Sequence, residues 1–176
     1  MYPMGELPTG GLWSNGNAVG TLTSVPGSDL YVNATTIHMD DFNARSTGGP
    51  YILAAQGVLK TDDDHYIGIY GKGLLANTQH IEAIMANETG VKPTSWGEIE
   101  TYTTWTFQAS GKYAALTEST FVANIRVYPS DDSDTVSYID YRISKVLPGS
   151  LCEAEGDEER NVNGERKFGD LTDQTF

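Results

Sequence analysis

An all-β fold, a barrel or a sandwich of short antiparallel strands, is the class this sequence predicts. Nineteen glycines and ten tyrosines in 176 residues favour extended segments broken by turns. Threonine and valine are abundant, and the strand-like runs recur every ~8–12 residues. Only one segment has helical spacing, and there is no internal repeat.

Along the chain, Leu12–Trp13 and Ala18–Ser24 flank Asn15-Gly16-Asn17, a sequence suited to a hairpin turn. A strand over Asp29–His38 follows the Pro26-Gly27 turn, and Asp41-Phe42-Asn43-Ala44-Arg45 then reads as a polar loop. Tyr51–Thr61 and His65–Lys72 flank Asp62-Asp63-Asp64, while Tyr102–Gln108, Ser119–Tyr128 and Val136–Val146 complete the strands. In Gln79–Asn87, Ile81, Ile84 and Met85 fall on one helical face and Gly90 follows as a stop. That segment predicts one short helix across an end of the fold. Val58, Ile67, Phe121 and Ile143 are expected in a single core.

From Leu147 the character changes. Eight acidic and three basic residues contribute −5 of the formal −13, with Leu151, Phe168, Leu171 and Phe176 as the large apolar side chains. Residues 1–146 read as one domain and 147–176 as an acidic extension.

Composition also narrows function. A charge of −13 disfavours nucleic-acid phosphates and anionic membrane surfaces as partners. No apolar run approaches the ~20 residues of a membrane span. The opening Met-Tyr-Pro-Met-Gly-Glu lacks the basic and hydrophobic regions of a secretory signal, so a cytoplasmic protein is expected. A single cysteine, Cys152, gives neither an internal disulfide nor a Cys-based zinc site.

The acidic runs Asp62–Asp64 and Asp131–Asp134 lack the alternating oxygen ligands and later bidentate carboxylate of a calcium loop, and read as solvated turns. His38 and Asp40 would share a face if their strand continued, an arrangement that can orient a general base. His65 reads as an exposed hairpin residue and His80 as the start of the helix. Tyr66, Gly68 and Tyr70 share one face of a strand, where the glycine leaves a gap that a flat ligand could fill. Trp105 and Phe107 share a face too. Ordinary core packing accounts for these aromatic rows equally well.

Gly57-Val-Leu-Lys-Thr-Asp-Asp-Asp-His-Tyr-Ile-Gly-Ile-Tyr-Gly-Lys-Gly73, the helical stretch to Asn87, Tyr102-Thr-Thr-Trp-Thr-Phe107, Gly111-Lys-Tyr-Ala-Ala-Leu116, Phe121-Val122 and Tyr138-Ile-Asp-Tyr-Arg-Ile143 follow one another in a familiar order. This order, over roughly Gly10 to Val146, resembles the domain-of-unknown-function-3237 family of small bacterial and fungal β-barrel proteins. Asp29 matches a characteristic aspartate of that family just before a strand. Ala54 and Gln56 stand where the family tends to carry an acidic and a basic residue, and Ala115-Leu116-Thr117 where it has Trp-Leu-Asn. These departures imply a site altered for a bulkier or less polar ligand.

The resemblance implies an antiparallel, calycin-like β-barrel with one short helix. The expected function is a cofactor-free enzyme of secondary metabolism, an isomerase, cyclase or lyase, acting on a largely apolar, aromatic or polyketide-like metabolite. The alternative is a non-catalytic carrier or sensor using the same pocket. Tyr70, Trp105 and Tyr141 are expected to line one barrel end, with Asp29, His38 or Glu118 as the acid/base group. No metal and no cofactor are expected. The expected partner is a small apolar or aromatic ligand, and the sequence leaves a homodimer open.

Overall fold

The structure, a computed structural model, describes residues 2–8, 10–130 and 137–148. Nine strands form one antiparallel sheet: β1 (Tyr2–Glu6), β2 (Leu12–Asn17), β3 (Thr21–Thr23), β4 (Asn33–Arg45), β5 (Tyr51–Thr61), β6 (Tyr66–Leu75), β7 (Thr101–Gln108), β8 (Phe121–Pro129) and β9 (Ser137–Lys145). Their order is β1-β2-β4-β5-β6-β7-β8-β9, with β3 paired to the start of β4. The sheet is barrel-like but unclosed, since β1 and β9 do not pair with one another among the described residues.

One parity rule organises most of it. From β5 to β9 the registers match odd-numbered residues with odd ones, as in Leu59↔Ile67, Ile69↔Phe107 and Ala123↔Ile143. Strand side chains alternate between faces, so one continuous inner face follows. Leu59, Ile67, Ile69, Phe107, Ile125 and Val127 on that face are all at most 4% exposed. Val32 and Ala34, beside and within β4, pack in the same cluster as Trp105, Phe107 and Ala123. The sheet therefore curls until its two halves meet. A second cluster, Leu75, Ile81, Ile84, Ile99, Ile125 and Val127, fills the other end, and Tyr141 touches both.

Helix α1 (Gln79–Met85) covers this second cluster. Thr78 caps it by accepting the Ile81 N–H at 3.2 Å, and Ile81 and Ile84 are fully buried. It ends earlier than expected, because Asn87 turns left-handed (φ 51°) before Gly90 is reached. A further helical turn, α2 (Ala114–Thr117), follows the single 3₁₀ turn Gly111–Tyr113. Among the described residues no helix is long and apolar enough to cross a membrane.

Several expectations are corrected. The Asn15-Gly16-Asn17 hairpin does not form: these residues belong to β2, which pairs with β4 through Asn15↔Phe42 and Gly16↔Asp41. Pairing with a long neighbour overrides the local turn signal, and Gly16 is not left-handed, as such a turn requires. β1 was not foreseen. Asp41–Arg45 is no loop, because β4 runs through it to Arg45. Val58 lies on the outer face and is 39% exposed. Ile67 is buried as expected, with Phe121 and Ile143 partly buried against the same cluster.

The Asp62–Asp64 turn is more than solvated. The carboxylate of Asp63 accepts the Tyr113 hydroxyl at 2.8 Å and pairs with Lys112 at 2.5 Å, anchoring a fully buried tyrosine. These partners, Lys112 foremost, hold the Asp63 carboxyl well below the usual carboxylate range. Asp131–Asp134, Cys152 and the extension beyond residue 148 lie outside the described residues.

Candidate functional site

The site is built by the strand that reads as a loop. The β4–β5 register shifts between Thr36 and His38, and this irregularity moves the inward face of β4 from Ala34 to Asp41 and Asn43. Opposite the shift, Gly57 pairs with Met39, and a Cβ there would come within 2.8 Å of the Met39 Cα. The glycine lets the two backbones close up. Beyond it, Asp41, Asn43 and Arg45 take one face while Phe42 and Ala44 take the other.

A register row then runs Gly16↔Asp41↔Ala55↔Gly71↔Trp105↔Phe121 across the inner wall. The Trp105 ring lies over Gly71, where an added Cβ would meet its edge at 2.6 Å. Its indole N–H donates to Thr103 Oγ1 at 3.3 Å, and that hydroxyl donates to the Ala123 carbonyl at 3.0 Å. Trp105 and Tyr141 meet edge to face, with centroids 4.9 Å apart.

Asp41 and Tyr141 belong to strands five steps apart in the sheet order, yet the charge of one is felt by the other. Burial pushes the Tyr141 hydroxyl far up, and the Asp41 carboxylate adds to the shift. Burial also raises Asp41, offset in part by the Asn43 amide, which donates to Oδ2 at 3.1 Å. Both Asp41 and Tyr141 keep some surface accessible. Ser14 and Asn43 pair two residues from Asp41 in the β2–β4 ladder and are buried, at 3% and 6% exposure. Thr101 Oγ1 is the one buried side-chain polar atom among the described residues without a partner.

Arg45 closes the helix end of this wall. Its Nη1 donates to Tyr51 Oη, Asn77 Oδ1 and Glu82 Oε1, each at 3.2 Å, and its guanidinium stands 4.9 Å from the Tyr51 ring centroid. Strand β4 is thereby tied to α1.

The anticipated six-residue site does not assemble. Trp105 and Tyr141 meet inside, but Tyr70 points outward and is 41% exposed. Asp29 lies exposed in the loop between β3 and β4, and Glu118 is exposed at the end of α2. His38 faces outward with 60% of its side chain exposed, its ring 2.9 Å from the Asp40 carboxylate. The predicted His38–Asp40 adjacency exists, on the outer face. Asp41 and Asn43 were missed as site residues. Their signal was the alternation of polar and apolar residues through Asp41–Arg45, with the polar set facing in. Among the described residues no three His, Cys, Asp or Glu side chains converge as a metal site would need.

Known proteins resemble this architecture without naming its chemistry. A conserved protein of unknown function from Rhodopseudomonas palustris superposes with a TM-score of 0.64 at 16% identity, covering 82% of this chain and 87% of that one. A protein of unknown function from Clostridium acetobutylicum gives a TM-score of 0.54 at 17% identity, covering 81% and 89%. A β-barrel-like protein from Acinetobacter baumannii gives 0.38 at 17% identity, covering 77% and 92%. No curated protein matches in sequence. The profile described as "Protein of unknown function (DUF3237)" matches residues 12–146, most of the chain and all of β2 to β9, so this protein belongs to the DUF3237 family.

Proposed function

We propose that the protein is a cofactor-free acid–base enzyme, of the isomerase, cyclase or lyase type, acting on a largely apolar small molecule at the inner wall. The observation that carries this reading is Asp41, a carboxyl on the inner face of a sheet whose opposite wall is apolar. Burial raises it toward the range where a carboxyl both takes and returns a proton. The Asn43 amide holds its orientation. Tyr141 stays protonated near neutrality and can donate a hydrogen bond to an oxygen that gains negative charge. Trp105 and Tyr141 offer flat apolar surface with few rotors to freeze. In an isomerisation, Asp41 takes a proton from one substrate atom and returns it to another, so no external reactant is consumed. Secondary metabolism and a cytoplasmic setting belong to the same reading, the latter supported by a single cysteine in 176 residues.

One observation favours a carrier or sensor instead: Asn43 already engages the Asp41 carboxylate. With a ligand found by screening small apolar molecules against the full chain, turnover by wild type and by Asp41→Asn separates the two. The enzyme reading expects kcat to fall about 10²–10⁴-fold with affinity retained. Unchanged turnover sinks it, and ligand binding without any turnover transfers the site to the carrier.

A further inference from the structure

We propose that the outer face of the sheet carries a separate binding site for a small planar carboxylate. A depression of about 540 Å³ opens there, within the size range of small-molecule sites, lined by Phe42, Ala54, Gln56, Tyr70, Lys72 and Gln108. The sheet itself divides it from Asp41 and Tyr141. Register accounts for the hollow: the row Phe42↔Ala54↔Lys72↔Thr104 sets one methyl between two long side chains. In the next row, Gln56↔Tyr70↔Thr106, the tyrosine is the large member.

Two features select the ligand. The first is a fixed aromatic platform. Tyr70 folds back over Gly68, its Cε2 lying 3.6 Å from where a Cβ would stand, and its hydroxyl donates to Gln108 Oε1 at 3.4 Å. The ring is held at one end of the hollow while 41% of the residue remains exposed. The second is an unmatched cation. Lys60 and Lys112 pair with Asp64 and Asp63, but the Lys72 ammonium has no carboxylate within ion-pair distance among the described residues. No acidic residue lines the depression; Asp40, the direct register partner of Gln56 on the same outer face, is engaged by His38 at 2.9 Å. In a chain of formal charge −13, a lysine set among neutral amides and hydroxyls marks an anion position. One ammonium matches the single charge of a carboxylate, and the tyrosine matches a ring attached to it.

Benzoate, benzamide and acetate are the probes, titrated into the full chain and followed by backbone amide shifts in β5–β7. Benzoate should saturate in the millimolar range, with benzamide and acetate each at least tenfold weaker. Lys72→Met should weaken benzoate about tenfold and Tyr70→Ala about fivefold, while Asp41→Asn leaves it unchanged. Both outer side chains are exposed, so the spectra of these variants should retain the native dispersion. The proposal is overturned if benzoate does not saturate, if benzamide binds as well, or if Lys72→Met leaves affinity intact. Weakening by Asp41→Asn would place benzoate on the inner wall and overturn it too.

Discussion

The two walls of the interior are built on opposite principles. Across β5–β8 the inner face carries Leu59, Ile67, Ile69, Phe107, Ile125 and Val127, all but closed to solvent, with buried threonines at Thr61, Thr101 and Thr103. Across β2 and the part of β4 beyond Met39 it carries Ser14, Asp41, Asn43 and Arg45. An apolar wall stabilises by removing area from water, at ~25 cal/mol per Å². A polar wall must satisfy each group it buries, and a buried carboxyl is stabilising only when it is partnered or protonated. The contrast teaches that stability resides mainly in the first wall and chemistry in the second.

The largest test of that contrast is truncation. Ile67→Ala should cost about 2–5 kcal/mol and Trp105→Ala about 3–5 kcal/mol, read by urea unfolding. Asn43→Ala should cost less, about 1–3 kcal/mol for the buried carboxyl it leaves unpartnered. A cost for Asn43→Ala equal to that for Trp105→Ala would break the comparison.

Overpacking comes next. Gly71→Val would press a branched side chain against the Trp105 ring, at an expected cost of about 1–3 kcal/mol with a shift in tryptophan emission. Stability and emission that match the wild type would mean the ring is not seated on the glycine.

Asp41→Asn sharpens the comparison by sign. Because the folded-state pKa is raised, the ionised carboxylate opposes folding at neutral pH, and this penalty disappears below the unfolded-state value near 3.8. The variant should therefore unfold at higher temperature than wild type at pH 7. Its advantage should shrink as pH falls, vanishing below about 4. A variant less stable than wild type at pH 7 contradicts the assignment.

The smallest effect lies at the helix end. His80 Nδ1 meets Glu98 at 2.5 Å and Nε2 meets the Lys92 carbonyl at 2.8 Å, joining α1 to the loop that follows it. The Lys92 carbonyl first, then Glu98, raises the His80 pKa. Its contribution is complete below about 6.5, the ordinary histidine value, and is lost as pH rises through the raised folded-state value. The hydrogen-exchange protection factors of the α1 amides, corrected for the intrinsic rise of exchange with pH, should fall over that interval in wild type. In His80→Gln they should stay level; an equal fall in both would show the contact to be idle.

Strand positions from Tyr51 onward were legible because their inner residues are apolar and their outer ones mixed, the ordinary pattern for a strand with one buried face. The segment from Asn15 to Arg45 was not. There a local Asn-Gly signal competed with a long strand partner, and the inward positions of β4 carry polar side chains. The candidate site fell within the illegible part. Trp105 and Tyr141 could be named from aromatic content alone, but their partner Asp41 depended on knowing which way a polar strand faces.

Sequence by itself determined the β class, the positions of the strands from Tyr51 onward and the short helix, because each rests on propensities or periodicities local to its element. Only the tertiary structure decided which carboxylate faces inward. One register shift between Thr36 and His38 sets that direction, and the curl of the sheet brings β4 within electrostatic reach of β9. A shift of one residue reverses every side chain beyond it, and the alternation of polar and apolar residues beyond it shows two faces without telling which one turns inward.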